Sequence, residues 1–214
     1  IEDKPNVFIY KHFDSRNGLP DDRINQILLL DSKVWFATSN AGIGYIENDS
    51  ITNFNISDGL SSLKIRSLTK GLSNDLWIGT AGQGLNHLEY NGKSWVFNSL
   101  SSKNGLSSDN IYLLQMDARA QLWVGSEKGV DRLSFSADGL VKEIRHFSQN
   151  EGFVGVETSQ NACISDSRGR LWFGTINGLT CCNPASTRKN NNPPLLRFTN
   201  LSICLLYTSD AADE

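Results

Sequence analysis

The sequence predicts an all-β protein made of β-propeller blades, each of four antiparallel strands. Three recurring features predict it. A short strand centred on tryptophan appears four times, as Val34-Trp35-Phe36-Ala37-Thr38, Leu76-Trp77-Ile78-Gly79-Thr80, Leu122-Trp123-Val124-Gly125-Ser126 and Leu171-Trp172-Phe173-Gly174-Thr175. The tryptophans stand 42, 46 and 49 residues apart. Upstream of each lies Gly18-Leu19, Gly59-Leu60, Gly105-Leu106 or Gly152-Phe153, and downstream Gly42-Ile43, Gly84-Leu85, Gly129-Val130 or Gly178-Leu179. A period in the forties holding several short strands is the size of one blade, and a blade needs neighbours to bury its two faces.

Each repeat divides into strands at its turn residues. In the first, residues 24–30, 34–38, 42–47 and 51–55 read as strands, with turns at Asp31-Ser32-Lys33 and Asn48-Asp49. The second gives 65–70, 76–80, 84–90 and 94–98, its last hairpin closed by Asn91-Gly92, where both residues tolerate positive φ. The third gives 111–116, 122–126, 130–135 and 141–147, with turns built on Asp117 and on Asp138-Gly139. The fourth gives 158–164, 171–175 and 178–182 and has no outer strand of its own before Asn183-Pro184 breaks the pattern. The blades are therefore expected at 17–58, 59–104, 105–151 and 152–184, the last incomplete. Residues 1–16 are expected to supply a linker and, at 8–13, the outer strand of a preceding blade. Residues 185–203 read as a linker and a fresh strand of another module. The segment 204–214 resembles the one-frame translation of a sequencing adapter and is set apart from fold reasoning.

Strand alternation places Trp77 on the same face as Gly79, Trp123 with Gly125 and Trp172 with Gly174, while Trp35 shares its face with Ala37. A large ring beside a vacancy suits sheets that pack face to face. Trp35, Trp77, Trp123 and Trp172, with Gly79, Gly125 and Gly174, are thus the structural positions of the repeat.

Composition narrows function. With 39% apolar residues the chain can bury a core, and a net charge of −3 with pI near 5.6 gives no basic field for nucleic acid. No apolar run is long enough to span a bilayer, so any membrane link would come through segments outside this sequence. Cys163, Cys181, Cys182 and Cys204 have no paired CxxC spacing, which predicts neither a metal site nor a disulfide framework. His12, His87 and His146 fall at unrelated repeat positions, and no nucleophile elbow, phosphate loop or dinucleotide fingerprint is present. The expectation is no catalytic residue, no cofactor and no metal.

The repeat resembles that of the two-component regulator propellers, the periplasmic sensor regions of bacterial, often Bacteroidetes-type, membrane regulators. The residues that carry it are Gly-Leu-Pro/Ser, Ile-x-x-Ile/Leu, the Asp turn, Leu-Trp-Ile-Gly-Thr and Gly-Leu, over residues 8–184. Phe173-Gly174-Thr175-Ile176-Asn177-Gly178-Leu179, then Asn183-Pro184 and Pro193-Pro194-Leu195-Leu196-Arg197-Phe198, is similar to the family's last blade and the start of its three-tyrosine β-sandwich. Cys181-Cys182 departs from the usual aromatic pair there. The resemblance implies four blades of a seven-bladed propeller, a periplasmic location, and an output module beyond this sequence. It also implies a homodimer in the full-length protein and an oligosaccharide or other small-molecule ligand.

If the strand after each Gly-Leu lines the central channel, the segment leading into it and the loop between the second and third strands share one rim. Variable polar residues there are the ligand-binding candidates: Asp21, Asp22, Arg23, Ser39, Asn40, Lys64, Gln83, Asp109, Asn110, Glu127, Lys128, Glu157 and Asn177. Amides, carboxylates and bases together suit a polyhydroxylated ligand. The other readings are a protein-binding scaffold, which would expose aromatic rims, and a quinone-dependent propeller enzyme, which would need a run of cofactor-facing residues.

Overall fold

A computed structural model describes residues 10–186. Of these, residues 10–184 belong to one compact unit. The expected sandwich strand and the adapter-like segment lie outside the described residues.

The strands form four antiparallel sheets in simple meander order. Blade 1 comprises β1 (Ile24–Leu30), β2 (Lys33–Thr38), β3 (Ile43–Glu47) and β4 (Ser50–Phe54); blade 2 comprises β5 (Ile65–Lys70), β6 (Leu76–Thr80), β7 (Leu85–Tyr90) and β8 (Trp95–Leu100). Blade 3 follows with β9 (Leu113–Met116), β10 (Leu122–Ser126), β11 (Gly129–Phe135) and β12 (Val141–Phe147). Blade 4 has three strands, β13 (Thr158–Ser165), β14 (Leu171–Thr175) and β15 (Gly178–Cys182). One correction concerns the expected strand at 8–13. Residues 8 and 9 lie outside the described residues, and residues 10–13 carry no strand, because no sheet among the described residues pairs with them.

The four inner strands β1, β5, β9 and β13 stand side by side, and three buried clusters join successive blades. Alternate residues of each tryptophan strand face opposite neighbours. Leu76 and Ile78 belong to the core shared with blade 1, whereas Trp77 belongs to the core shared with blade 3. Trp123 stacks on Phe147 of its own blade and lies 5.9 Å from the ring of Phe173 in blade 4.

In blades 2 and 3 the vacancy beside the ring receives a residue at, or just before, the start of the next inner strand. A Cβ on Gly79 would come within 2.6 Å of Ile111, and one on Gly125 within 2.6 Å of both Leu113 and the Thr158 hydroxyl. Ala37 and Ile65 share the first inter-blade core. Truncating a fully buried Trp such as Trp35 or Trp123 would cost about 3–5 kcal/mol.

The Gly-Leu marker has its own cause. Each outer strand ends in a 3₁₀ turn, Ser15–Asn17 before β1 and then Ile56–Asp58, Ser102–Asn104 and Gln149–Glu151, with a capping box at its start. The glycine that follows lies in the left-handed region, at φ 114, 105, 108 and 89° in order, where a β-carbon is strained. The next residue then drops into an inter-blade core: Leu60 between blades 1 and 2, Leu106 between 2 and 3, Phe153 between 3 and 4.

Aspartates in the turns between first and second strands fix the tryptophans. Asp117 accepts the amides of Arg119 and Gln121 on one oxygen and the Trp123 indole N–H, at 2.9 Å, on the other. Asp166 repeats this with Arg168, Arg170 and Trp172. The Trp172 hydrogen bond, against partial burial and with help from Arg170, holds the Asp166 carboxyl well below the usual carboxylate range. Blade 1 has a shorter turn whose Asp31 does not take that role, and its buried Trp35 indole nitrogen has no partner.

Gly125→Val should destabilise the chain by about 1–3 kcal/mol through overpacking against Leu113 and Thr158. Urea denaturation followed by tryptophan fluorescence measures this, and a midpoint equal to that of the parent would contradict the interlocking.

Candidate functional site

The meander brings the segment before each inner strand and the loop between the second and third strands to one rim. In blade 1 the Asp21 carboxylate accepts the amides of Arg23 and Asn40, each at 3.0 Å, and the Arg23 carbonyl accepts the Ser39 amide. The hydrogen bond from the Arg23 amide, only partly offset by desolvation and reinforced by Asn40, lowers the Asp21 pKa. Asp22 is occupied by the Ser15 amide and hydroxyl, and Asp109 by those of Ser102, so both acids brace the preceding 3₁₀ turn. Ser39 donates to the Asn25 side chain.

Several other rim positions act through their backbones. The Lys64 carbonyl accepts the Ala81 amide, Gln83 donates its amide to Thr80, and the Glu157 carbonyl accepts Ile176. The Asp109 carbonyl accepts the amides of Gly82 and Gly84, and Asn110 bridges to Ala81, fastening blade 3 to blade 2. Lys128 reaches the Ser107 carbonyl at 3.0 Å. Glu127 accepts the Ser108 hydroxyl on one oxygen, and its other oxygen is buried without a partner. Asn177 is exposed in the β14–β15 turn. Much of the predicted set therefore shapes the rim, with Arg23, Lys64, Gln83 and Asn177 presenting exposed side chains from it.

Below the rim the inner strands bulge. The ladder shifts register between Ile24 and Gln26, between Ile65 and Ser67, and between Thr158 and Cys163. Bulges re-aim side chains. The residues set there are Asn25, Arg66 and, in the longer bulge of blade 4, Asn161; Tyr112 holds the equivalent position in blade 3. They converge. The Arg66 guanidinium lies 4.6 Å from the Tyr112 ring centroid, and the Asn161 amide donates to the carbonyls of Arg66, at 3.1 Å, and Asn25, at 3.3 Å. One guanidinium nitrogen, Nη1, is buried without a partner.

Sequence reading passed over this cluster. Its signal was the residue after the opening isoleucine of Ile24-Asn25, Ile65-Arg66 and Ile111-Tyr112, a position that varies inside an otherwise constant strand.

Histidine and cysteine chemistry lies elsewhere. His87 stacks on Trp77 at 4.2 Å and pairs with Asp75 and Glu89, beside a cleft of about 280 Å³ on the face opposite the rim. Burial works against the Asp75 charge, yet the bonds from His87 and the Ser73 amide outweigh it and lower its pKa. His146 pairs with the buried Asp131, which also accepts the Ser107 amide and hydroxyl. His12 is exposed beside Asp14. Burial pushes the Cys163 thiol up to about 12, leaving it unreactive as a nucleophile at neutral pH. Among the described residues no group of three or more His, Cys, Asp or Glu is arranged to hold a metal.

The fold defines a β-propeller with a polar rim. No family model and no curated protein matches the sequence, whereas solved structures do. The chain is similar to a structure described as the extracellular domain of the hybrid two-component system BT3049 from B. thetaiotaomicron. The TM-score is 0.71 at 21% identity, over 82% of this chain and 24% of that one. A second, the extracellular domain of BT4673 from the same organism, aligns at a TM-score of 0.63 and 19% identity over 78% of this chain and 24% of that one. Virginiamycin B lyase from Staphylococcus aureus aligns more loosely, at 0.52 and 16% identity over 76% of this chain and 57% of its own. At these identities the shared property is the fold, and this chain spans about a quarter of the two extracellular domains. Among the described residues no helix is long and apolar enough to cross a membrane.

Two outcomes test the site description. Asp21→Ala should cost the Asn40 amide its protection from hydrogen exchange while global stability moves little. Acid should do the same to the parent: the folded pKa of Asp21 lies below its ordinary 3.8, so the tie is present above that value and is lost as pH falls through the folded pKa. Mass-spectrometric exchange with protection normalised for pH reads both. In thiol labelling at pH 8, exposed Cys181 should react promptly and Cys163 only upon unfolding, as peptide mapping would show.

Proposed function

We propose that the chain is part of a periplasmic ligand-sensing propeller of a bacterial membrane regulator, with its ligand held at the rim and channel mouth. The observation that carries this reading is that, of the buried polar atoms without partners, three lie toward that end: a donor on Arg66, the neighbouring Ser67 hydroxyl and an acceptor on Glu127. Buried unpaired groups cost about 1–3 kcal/mol each, more when charged, and a bound molecule that supplied partners to them would recover that cost. The likeness to extracellular domains of two-component systems supports the extracytoplasmic sensing role.

An oligosaccharide suits the site. Hydroxyl groups both donate and accept, and the mouth holds the Arg66 guanidinium, with one nitrogen unpartnered, among the Asn25 and Asn161 amides and the Tyr112 ring, whose present hydrogen bonds and stacking a ligand would have to exchange. Ligand binding would pass to a following sandwich and onward through the membrane by distortion or homodimerisation of the full-length protein. The lyase alignment keeps an enzymatic propeller in view. Against it stand His87 and His146, which are committed to carboxylates in the frame and do not belong to the polar cluster at the mouth.

Calorimetry of the chain against plant and host oligosaccharides tests the proposal. Binding of one of them should weaken about tenfold or more in Arg66→Ala, the loss of a charge-assisted hydrogen bond of about 1.5–3 kcal/mol. An absence of binding across the panel, or affinity indifferent to Arg66, would overturn it.

A further inference from the structure

A cleft of about 450 Å³ opens where blades 1 and 2 meet, on the face opposite the rim. Both of its walls come from blades that already pack on one another, so it owes nothing to what covers the outer faces of blades 1 and 4. Turn length accounts for it. Five residues join the first and second strands of blades 2, 3 and 4, and in blades 3 and 4 the aspartate that opens the turn reaches the tryptophan indole. In blade 1 the turn is only Asp31 and Ser32, and the end of the seam stays open.

Aromatic rings wall the cleft. Tyr45 leans on Trp35 with ring centroids 4.8 Å apart, Trp95 meets Trp35 edge-on at 5.3 Å, and Tyr90 tilts on Trp95 at 5.3 Å. The fully buried Trp35 thus holds Tyr45 and Trp95 in place, and Tyr90, 56% exposed, is the most open of the three lining rings. A cation already uses one of them: the Lys33 ammonium lies 5.5 Å from the Tyr45 centroid and donates to Glu47 at 2.9 Å. Two carboxylates line the cleft against that one ammonium. Glu47 is paired with Lys33, whereas Asp31 forms no ion pair among the described residues.

We propose that this cleft binds a small quaternary ammonium ion of the choline kind, its methyl groups against Tyr45, Tyr90 and Trp95 and its charge matched by Asp31. Ring faces carry the negative end of the aromatic quadrupole, and an ion whose charge is spread over methyl groups can meet them without giving up hydrogen bonds to water. A primary ammonium is a compact, strongly hydrated charge and gains less there. The surplus carboxylate selects against an uncharged ligand of the same shape. The site lies apart from the rim and does not depend on any ligand bound there.

Titration of the full 214-residue chain with choline and with 3,3-dimethylbutan-1-ol, its uncharged isostere, tests this at constant ionic strength. Calorimetry and tryptophan fluorescence, to which Trp95 at the cleft contributes, should give choline a Kd of about 1 mM and the isostere one at least about tenfold weaker. Tyr90→Leu should weaken choline about fivefold and Asp31→Asn about threefold. Asparagine tolerates the left-handed backbone at position 31, φ 54°, so that variant keeps the turn and decides the matter should Tyr90→Leu unfold. Tyr90 also borders the neighbouring cleft between blades 2 and 3, and Asp138 of that cleft supplies the control: Asp138→Asn should bind choline as the parent does. No binding at about 20 mM choline, equal affinity for the isostere, an affinity indifferent to Asp31, or a loss in Asp138→Asn that Asp31→Asn does not share would overturn the proposal.

Discussion

The structure depends on one steric arrangement, the absence of a side chain next to a very large one. On each tryptophan strand the alanine or glycine two residues on from the ring leaves a hole, and in blades 2 and 3 the next blade's Ile111 and Thr158 enter it. Sheets that met as two smooth apolar surfaces could slide. A knob fitted into a defined hole fixes their spacing, which is why the same pattern can tolerate loops of different length and still return each blade to register. Blade 1 keeps the pattern with Ala37, a single methyl, in the core it shares with Ile65.

Two further devices orient the pieces that interlock. The left-handed glycine after each 3₁₀ turn redirects the chain from the outer edge of one blade to the inner edge of the next, and the residue behind it is then buried where two blades meet. The turn aspartate of blades 3 and 4 anchors the indole from the side. Blades 1 and 2 do without that anchor in different ways: blade 1 leaves Trp35 without a partner, and blade 2 moves its acid to Asp75 and caps the ring with His87. These variations leave the packing intact, so the interlock is the stronger constraint.

Most of the frame was legible because its causes are local and repeat. Tryptophan spacing, Gly-Leu and the Asp turns each follow from short-range geometry, and strand edges fall within a residue or two of those read from turn chemistry. The capping boxes were equally local and went unread: Asp14 with Asn17, Asn55 with Asp58, Ser101 with Asn104 and Ser148 with Glu151 stand in front of every Gly-Leu. The site was legible only in outline. Polar residues on the rim could be named, but a sequence does not tell an acid that offers itself to a ligand from one already spent on a backbone amide, as Asp21, Asp22 and Asp109 are. Nor does it reveal a bulge, since the register shift that turns Arg66 and Asn161 toward the axis depends on how two strands pair.

Gln26 carries a consequence for motion. Its side-chain amide stands in for a peptide group, donating to the Leu68 carbonyl at 2.9 Å and accepting the Leu68 amide at 2.7 Å, while Asn25 donates to the Ile65 carbonyl. Near the axis, neighbouring blades are thus stitched by directional bonds, whereas farther out they meet largely through apolar side chains. Pages bound at a spine behave this way. Small rotations between blades would pivot about the inner strands and be felt most at the perimeter, so a molecule lodged at the axis would have leverage over the outer edge at little cost to the hydrogen bonds that hold the centre.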